Sequence, residues 1–322
     1  MIRVSPFILL LAAVGLPFGS ALPQGYPVKP IRVIVPYGPG DTADILARLI
    51  GQKLTERFGQ QLIVDNRTGA SGQLGLNLAA RAVADGYTIA VGQGGNMVVA
   101  PHTYKKPLYD PLNDFVPVAL LATNYAALVV HPSAPFKTVK DLIAYAKAQP
   151  GKLTFASGGE GSFPHLAFEL LRVQASFTYL HVPYKGTAAI VADLIGGQVD
   201  SAMGPYTTVE PHIRSGRLRL LGITNPKRAA LLPHVPTIAE TVPDYDMRGW
   251  FGFVAPAATP REVVALLNRE INRVMTLPDI REKMIATGLQ IVAEHPEFFG
   301  ETIRRDYVKY GKLVRDIGFL PQ

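Results

Sequence analysis

The chain has 322 residues, 48% of them hydrophobic and 18% charged, with a formal net charge of +7 and no cysteine. The missing cysteine excludes a disulfide framework, a thiolate metal site and a lipid-attached N-terminus. The charges are dispersed and no Lys/Arg block stands out, so the basic balance carries no nucleic-acid reading; steering of a small anion or attraction to an acidic membrane surface accounts for its sign as well.

Residues 1–21 read as a secretory signal. Arg3 supplies the positive start, Phe7 to Phe18 the apolar run, and Gly19-Ser20-Ala21 a small-residue cleavage site. The run is about a dozen residues, short of the roughly 20 needed to span a bilayer, and the alternative is an uncleaved anchor. Cleavage after Ala21 would remove Arg3 alone among the charged residues, taking +7 to +6. The mature chain is expected to be free and soluble outside the cytoplasmic membrane. Its 301 residues (322 minus 21) exceed one comfortable core, so two lobes are expected.

Strand-length apolar runs alternate with helical patterns, which predicts α/β architecture. The pattern opens with a strand at 31–35, a helix over about 42–57 and a strand at 61–64. A helix near 74–82, a strand at 87–91 and two extended runs at 116–123 and 126–130 follow, the last two parted by Asn124-Tyr125. Thr138-Val139-Lys140-Asp141 has the form of a capping box starting a helix at 139–148. Then come a strand at 153–156, a helix over about 165–173, a strand around 177–181, a helix at 188–195 and strands at 199–203, 218–224 and 250–255. Thr259-Pro260-Arg261-Glu262 predicts a threonine cap, proline at N1 and Glu at N3 of a helix at 261–276. Helices over about 279–287 and 296–316 close the chain.

Two junctions have the form strand, glycine loop, helix. Strand 31–35 runs into Pro36-Tyr37-Gly38-Pro39-Gly40-Asp41-Thr42-Ala43-Asp44, and strand 153–156 into Ser157-Gly158-Gly159-Glu160-Gly161-Ser162. Such junctions aim unpaired N–H groups and the positive end of a helix at one spot, which suits an anion. Two of them suggest one small ligand held from two sides. Against this, Asp41 is a natural N-cap and Asp44 falls at N3, so both carboxylates serve equally well to satisfy first-turn amides. Gly161-Ser162 has the same reading as a turn and cap, against a Ser162 hydroxyl that grips a ligand carboxylate.

Other chemistries fit less well. Gly38-Pro39-Gly40-Asp41-Thr42-Ala43 imitates a dinucleotide fingerprint, but Pro39 stiffens the turn and Asp41 places charge where a pyrophosphate needs bare amides. The seven histidines form no H-E-x-x-H or close H-x-H pair, so no metal site is expected. Ser162 and His165 are neighbours, yet Phe163-Pro164 follow the serine where a nucleophile elbow needs x-G; an exported serine hydrolase is the enzyme alternative. Trp250, beside Phe251 and Phe253, reads as core, with lining of a cleft as the alternative.

Nearly the whole mature chain resembles the periplasmic receptors of tripartite tricarboxylate transporters, the Bug family. The resemblance rests on Tyr26-Pro27-Val28-Lys29-Pro30-Ile31-Arg32, Val35-Pro36-Tyr37 with Gly40 and Asp44, Val64-Asp65-Asn66-Arg67-Thr68-Gly69-Ala70 and Asp85-Gly86-Tyr87-Thr88. It continues through Leu108-Tyr109-Asp110-Pro111-Leu112-Asn113-Asp114-Phe115, Pro150-Gly151-Lys152-Leu153, His181-Val182-Pro183-Tyr184-Lys185-Gly186, Asp193-Leu194-Ile195-Gly196-Gly197-Gln198-Val199-Asp200 and Leu232-Pro233-His234-Val235-Pro236-Thr237. It implies an α/β, two-lobe periplasmic-binding-protein type II fold, a Venus flytrap, with crossings near 125–130 and 248–253. Lobe I is then 22–127 plus 250–322, and lobe II 128–249. It also implies a monomer that captures a small carboxylate, amino acid or amide by lobe closure and hands it to the permease subunits, with no catalysis, no cofactor, no metal and no nucleic acid; an orphan receptor feeding a signalling protein is the alternative. By the same resemblance the ligand meets Tyr37, Gly40, Asp41, Thr42 and Asp44 on one side. Ser157, Gly161, Ser162 and His165 lie on the other, with Gly186 and Thr187 at a following helix start and Gln93 and Asn96 at the ligand's far end.

The chain departs from that family at Asp41, where glycine is common, at Glu160, where an uncharged residue is usual, and at Gly204-Pro205, which replaces an acidic or Asn-containing turn. A like-charge contact at about 4 Å and an effective dielectric near 20 costs on the order of 4 kcal/mol. A ligand with an ammonium or amide group opposite Asp41 or Glu160 is therefore expected over a plain di- or tricarboxylate.

Overall fold

The computed structural model describes residues 25–184, 186–229 and 232–321. The signal-peptide reading lies outside these residues. In chain order the elements are β1 (Ile31–Val35), α1 (Thr42–Phe58), β2 (Leu62–Asn66), α2 (Gln73–Ala80), β3 (Thr88–Gln93), a π-turn (Gly95–Val99), α3 (Ala100–Thr103), β4 (Phe115–Asn124), β5 (Ala126–Val130), α4 (Val139–Ala148), β6 (Thr154–Ser157), α5 (Phe163–Ala175), β7 (Leu180–Pro183), α6 (Thr187–Ile195), β8 (Ser201–Pro205), α7 (Tyr206–Arg214), β9 (Arg219–Ile223), β10 (Gly249–Pro256), α8 (Arg261–Met275), α9 (Pro278–Ala286), β11 (Gln290–Ile291) and α10 (Pro296–Asp316).

The strands form two sheets, ordered β11-β4-β10-β3-β1-β2 and β7-β6-β8-β5-β9. Each contains a parallel trio whose first strand in sequence lies in the middle: β2-β1-β3 in one, β7-β6-β8 in the other. An antiparallel strand then flanks each trio, β10 beside β3 and β5 beside β8. The repeated strand–glycine loop–helix unit is thus a repeat of topology, with β1-α1-β2 matched by β6-α5-β7. The loops after β1, β3, β6 and β8 leave the carboxyl ends of parallel strands, where open α/β sheets bind ligands.

Period-two alternation decides which side of the first sheet each residue serves. Ile31, Val33 and Val35 pack with Leu46, Ile50 and Leu54 of α1 and Leu267 and Ile271 of α8. Ile34 points the other way, towards Leu76 and Met97. That second cluster continues through Trp250 and Tyr310 to Leu128, Phe155 and Leu166, so apolar packing runs from one sheet to the other. Only Tyr125 separates β4 from β5, and the return strand begins at Gly249, which pairs with Asn124.

Several local expectations change. Strand β7 starts at Leu180 because Phe177 and Tyr179 leave the strand register to pack on Phe168. Helix α7 was not expected; it forms with Pro211 inside it. The Thr259 cap does not form. Pro260 takes an extended ψ of 138° and is itself the cap residue, so α8 starts at Arg261 and the Thr259 hydroxyl is buried without a partner. The capping box of α4 does form, with the Asp141 N–H donating to Thr138 Oγ1 and the Thr138 N–H to Asp141 Oδ2, both at 3.1 Å. Among the described residues no helix is long and apolar enough to cross a membrane.

Candidate functional site

The turn after β1 is held by two carboxylates with different duties. Asp41 is the N-cap of α1; its Oδ1 accepts the Ala43 N–H at 2.8 Å, and the side chain remains exposed. Partial burial raises its pKa, the Ala43 bond opposes this, and the nearby Asp44 charge adds to the rise. Asp44 is buried and fully employed. Its carboxylate accepts the Gly40 N–H at 2.9 Å, Arg48 Nε at 3.0 Å and Asn66 Nδ2 at 3.0 Å, and Asn66 also donates to the Tyr37 carbonyl. Burial pushes the Asp44 carboxyl up, but the Arg48, Gly40 and Asn66 bonds outweigh it and hold the pKa at about 2. Gly40 needs its φ of +84°, and a Cβ there would meet nothing, so the residue serves the turn's shape and leaves open space in front of it. Thr42 is the first residue of α1.

Tyr37, Gln93 and Asn96 come together behind that turn. The Tyr37 hydroxyl donates to the Ser71 carbonyl at 3.3 Å, and burial pushes its pKa up to about 12, against the Gln93 contact. Asn96 sits in the π-turn, wholly buried; its Oδ1 accepts the Gln93 N–H at 2.9 Å and its Nδ2 has no partner. The missing side chain of Gly72 makes room for the group, since a Cβ there would stand 3.0 Å from Asn96 Nδ2 and 3.2 Å from the Tyr37 hydroxyl.

The loop after β6 is braced by its own polar groups. Ser162 Oγ donates to the Gly159 carbonyl at 2.7 Å, Gly159 N–H donates to Ser157 Oγ at 3.2 Å, and Gly161 N–H donates to His165 Nδ1 at 3.1 Å. Ser157 Oγ lies 2.7 Å from His181 Nε2, and the His165 and His181 rings stack with centroids 4.3 Å apart. Burial, then the neighbouring His181, lowers the His165 pKa to about 4; burial lowers that of His181, opposed by Glu160 and Glu169. Gly161 has φ +72°, and a Cβ on it would press on Phe319 at 3.2 Å and approach Thr103 at 3.8 Å. That places this loop beside α3, whose next residue, Tyr104, is 3.0 Å from Ser71 Oγ, below Tyr37. The proposed hydrolase pair does not form, because the Ser162 hydroxyl points to Gly159 and the His165 Nδ1 is occupied by a backbone amide.

The helix starts after β6 and β7 are open where α1 is closed. Neither α5, capped by Ser162, nor α6, capped by Gly186 with Thr187 as its first residue, has a side-chain cap bond. Their first-turn amides therefore keep donor capacity. Glu160 is exposed.

Between the two sets of strand ends lies a crevice of about 270 Å³, lined by Gln93, Gly94 and Trp250 from one sheet's side and by Phe163, Gly204 and Pro205 from the other, with Asn124, Tyr125 and Gly249 of the crossings between them. Of these, Gln93 was expected and Trp250 weighed, whereas Asn124 and Phe163 were missed. The only signal for Asn124 was its place between two apolar runs, and Phe163 gave none. A larger groove of about 1020 Å³ opens between α8 and α10, but it is lined from the first sheet's side only and engages neither glycine loop. Among the described residues no cluster of His, Asp and Glu could hold a metal ion.

Two α/β units facing one another across such a crevice define the class of periplasmic solute-binding proteins. Residues 46–319 match the Tripartite tricarboxylate transporter family receptor, and the chain belongs to that family of periplasmic receptors. It is 40% identical over 293 residues to the "UPF0065 protein in tcbD-tcbE intergenic region" of Pseudomonas sp. (strain P51), covering 90% of this chain and 87% of that one. It is 34% identical over 317 residues to Protein BugT of Bordetella pertussis, covering 96% and 97%. Among solved structures, a Polaromonas TctC solute-binding protein superposes with a TM-score of 0.81 at 29% identity, over 90% of this chain and 99% of that one. R. palustris Rpa4515 with adipate superposes with a TM-score of 0.77 at 33% identity, over 92% and 100%.

Proposed function

We propose that this chain is a solute receptor that captures a small carboxylate, amino acid or amide by closing two lobes on it and delivers it to the permease subunits of a tripartite tricarboxylate-type transporter. The lobes are 22–127 plus 250–322 and 128–249, and the chain reaches the periplasm after loss of residues 1–21. The observation that carries the reading is a single crevice bordered by the strand ends of both sheets, with two uncapped helix starts at those ends. A ligand touching both lobes stabilises the closed state over the open one, and a membrane partner that recognises the closed state then reads occupancy. The first-turn amides of α5 and α6 take the carboxylate, with Ser162 and Thr187 beside them. Gly40, Thr42 and Tyr37 face it from the other lobe, and Gln93 and Asn96 meet the far end. Ser157 and His165 hold the α5 loop in shape, and Asp44 holds the Gly40 turn. Bound structures of relatives support the ligand class: MatC of Rhodopseudomonas palustris, 29% identical with a TM-score of 0.73, was solved with malate, and Rpa4515 with adipate.

A thermal-shift screen of organic acids, amino acids and amides tests the reading. A ligand at 100 times its Kd adds about 2.7 kcal/mol to stability. A full screen without one stabilising compound would sink it.

A further inference from the structure

The crevice is chemically one-sided, and this narrows the receptor reading on which the present inference rests. The start of α5 enters its lining through Phe163 and Pro164, and the helix starts of α5 and α6, which lack a side-chain cap bond, suit a carboxylate. Its described lining contains no Asp, Glu, Lys, Arg or His. Trp250 presents its ring and not its donor, because Nε1 is already committed to Asp306 Oδ2 at 3.0 Å. The ring is 2% exposed and borders the crevice beside Gly94, where a Cβ would lie 3.7 Å from Nε1. Phe163, at the start of α5, adds a second aromatic ring to the lining.

The polar side chains that remain are neutral: two amides and the Tyr125 hydroxyl. Asn124 Oδ1 is buried without a donor, pressed against Gly249, where a Cβ would lie 2.1 Å away. A half-turn of that amide would exchange its oxygen and nitrogen and free the acceptor for a donor in the crevice that Asn124 lines. Gln93 supplies the other amide. The volume of about 270 Å³ equals some nine waters at roughly 30 Å³ each, room for one ring with a substituent. A second carboxylate entering here would shed its water with no cation opposite, which proteins do not tolerate without pairing.

We propose that the solute is a monocarboxylate with a flat, uncharged body carrying a hydrogen-bond donor opposite Asn124, and that di- and tricarboxylates are rejected. The contrast is with the relatives solved with malate and adipate. Calorimetry on the purified receptor with benzoate, 3-hydroxybenzoate, adipate and malate tests this, alongside emission from Trp250, the only tryptophan in the chain. Both benzoates are expected to bind at least tenfold tighter than adipate or malate, 3-hydroxybenzoate the tighter of the two, and saturation is expected to change Trp250 emission. Asn124→Ala is expected to bring the two benzoates within twofold of each other; should that variant not fold, the wild-type comparison decides alone. Tighter binding of adipate or malate, or unchanged Trp250 emission at saturation, overturns the inference and leaves the receptor reading standing. Binding by none of the four overturns the inference alone, and the full thermal-shift screen then decides the receptor reading.

Discussion

Asp44→Asn separates a structural carboxylate from a ligand contact. The folded chain depresses the Asp44 pKa from 3.8 to about 2, so the ionised form is favoured by folding. At about 1.36 kcal/mol per decade this amounts to roughly 2 kcal/mol. Asp44 itself is 4% exposed but its partner Arg48 is 53% exposed, so solvent screens part of the pair and about 1–2 kcal/mol remains. The sign follows from the depression: the contribution is complete above pH 3.8 and is lost as pH falls through about 2. Urea unfolding of wild type and variant at pH 7, 4.5 and 2 reads this directly. The variant should be less stable by 1–2 kcal/mol at pH 7 and 4.5, and the gap should have narrowed by about half or more at pH 2. Because every bond to this carboxylate comes from Gly40, Arg48 or Asn66, the change should weaken ligand binding only by loosening the turn. Unchanged stability together with abolished binding would refute the assignment and make Asp44 a direct ligand contact.

Three other substitutions probe the fold and the cleft. Since burial and His181 lower the His165 pKa from 6.5 to about 4, the folded state holds a neutral ring, and stability should fall by up to about 3 kcal/mol between those pH values; His165→Gln should flatten that segment of a pH–stability curve. Gly252→Ala places a Cβ 2.3 Å from Phe299 Cζ and 2.8 Å from the Ala119 carbonyl, forcing a buried ring and a central strand apart, and should lower stability by about 1–3 kcal/mol in urea melts followed by tryptophan emission. Asp41→Gly removes a cap at a cost of only a few tenths of a kcal/mol but frees the α1 amides and deletes a charge, so calorimetry should show preference moving towards more anionic ligands; unchanged selectivity would mean the side chain lies off the ligand's path.

What the sequence discloses depends on how local its cause is. Strand β1 and helix α1 are legible because alternation and a cap residue determine them within a dozen positions, and the Thr138–Asp141 box is legible for the same reason. Thr259 misleads because a neighbouring proline's ψ, invisible in the sequence, makes Pro260 the cap residue in its place. The glycine loops announce a site, but the crevice lining does not appear there. Asn124, Phe163 and Trp250 are far apart in sequence and meet only through sheet pairing, such as the Asn124–Gly249 register. Asp44 was open to either reading, because nothing in the sequence says that Arg48 and Asn66 turn towards it.

The repeated topology also shows where the two halves differ, and that difference bears on the order of events during capture. In one half the helix after the first strand is already satisfied by Asp41, whereas in the other α5 and α6 begin with free amides. An anion arriving at the open cleft therefore gains most from the second half, where no carboxylate has to be displaced and the dipole end is bare. On the proposed reading, contacts from the first half would then come from the Gly40 turn and Tyr37 as the lobes approach, and their worth would set the preference for closure. A variant that caps α5, such as Ser162→Asp, fills the open half with a charge of its own. It should abolish anion binding outright, where the matching change at Asp41 only retunes it. Binding that survives Ser162→Asp in calorimetry would show that the two halves share the carboxylate evenly.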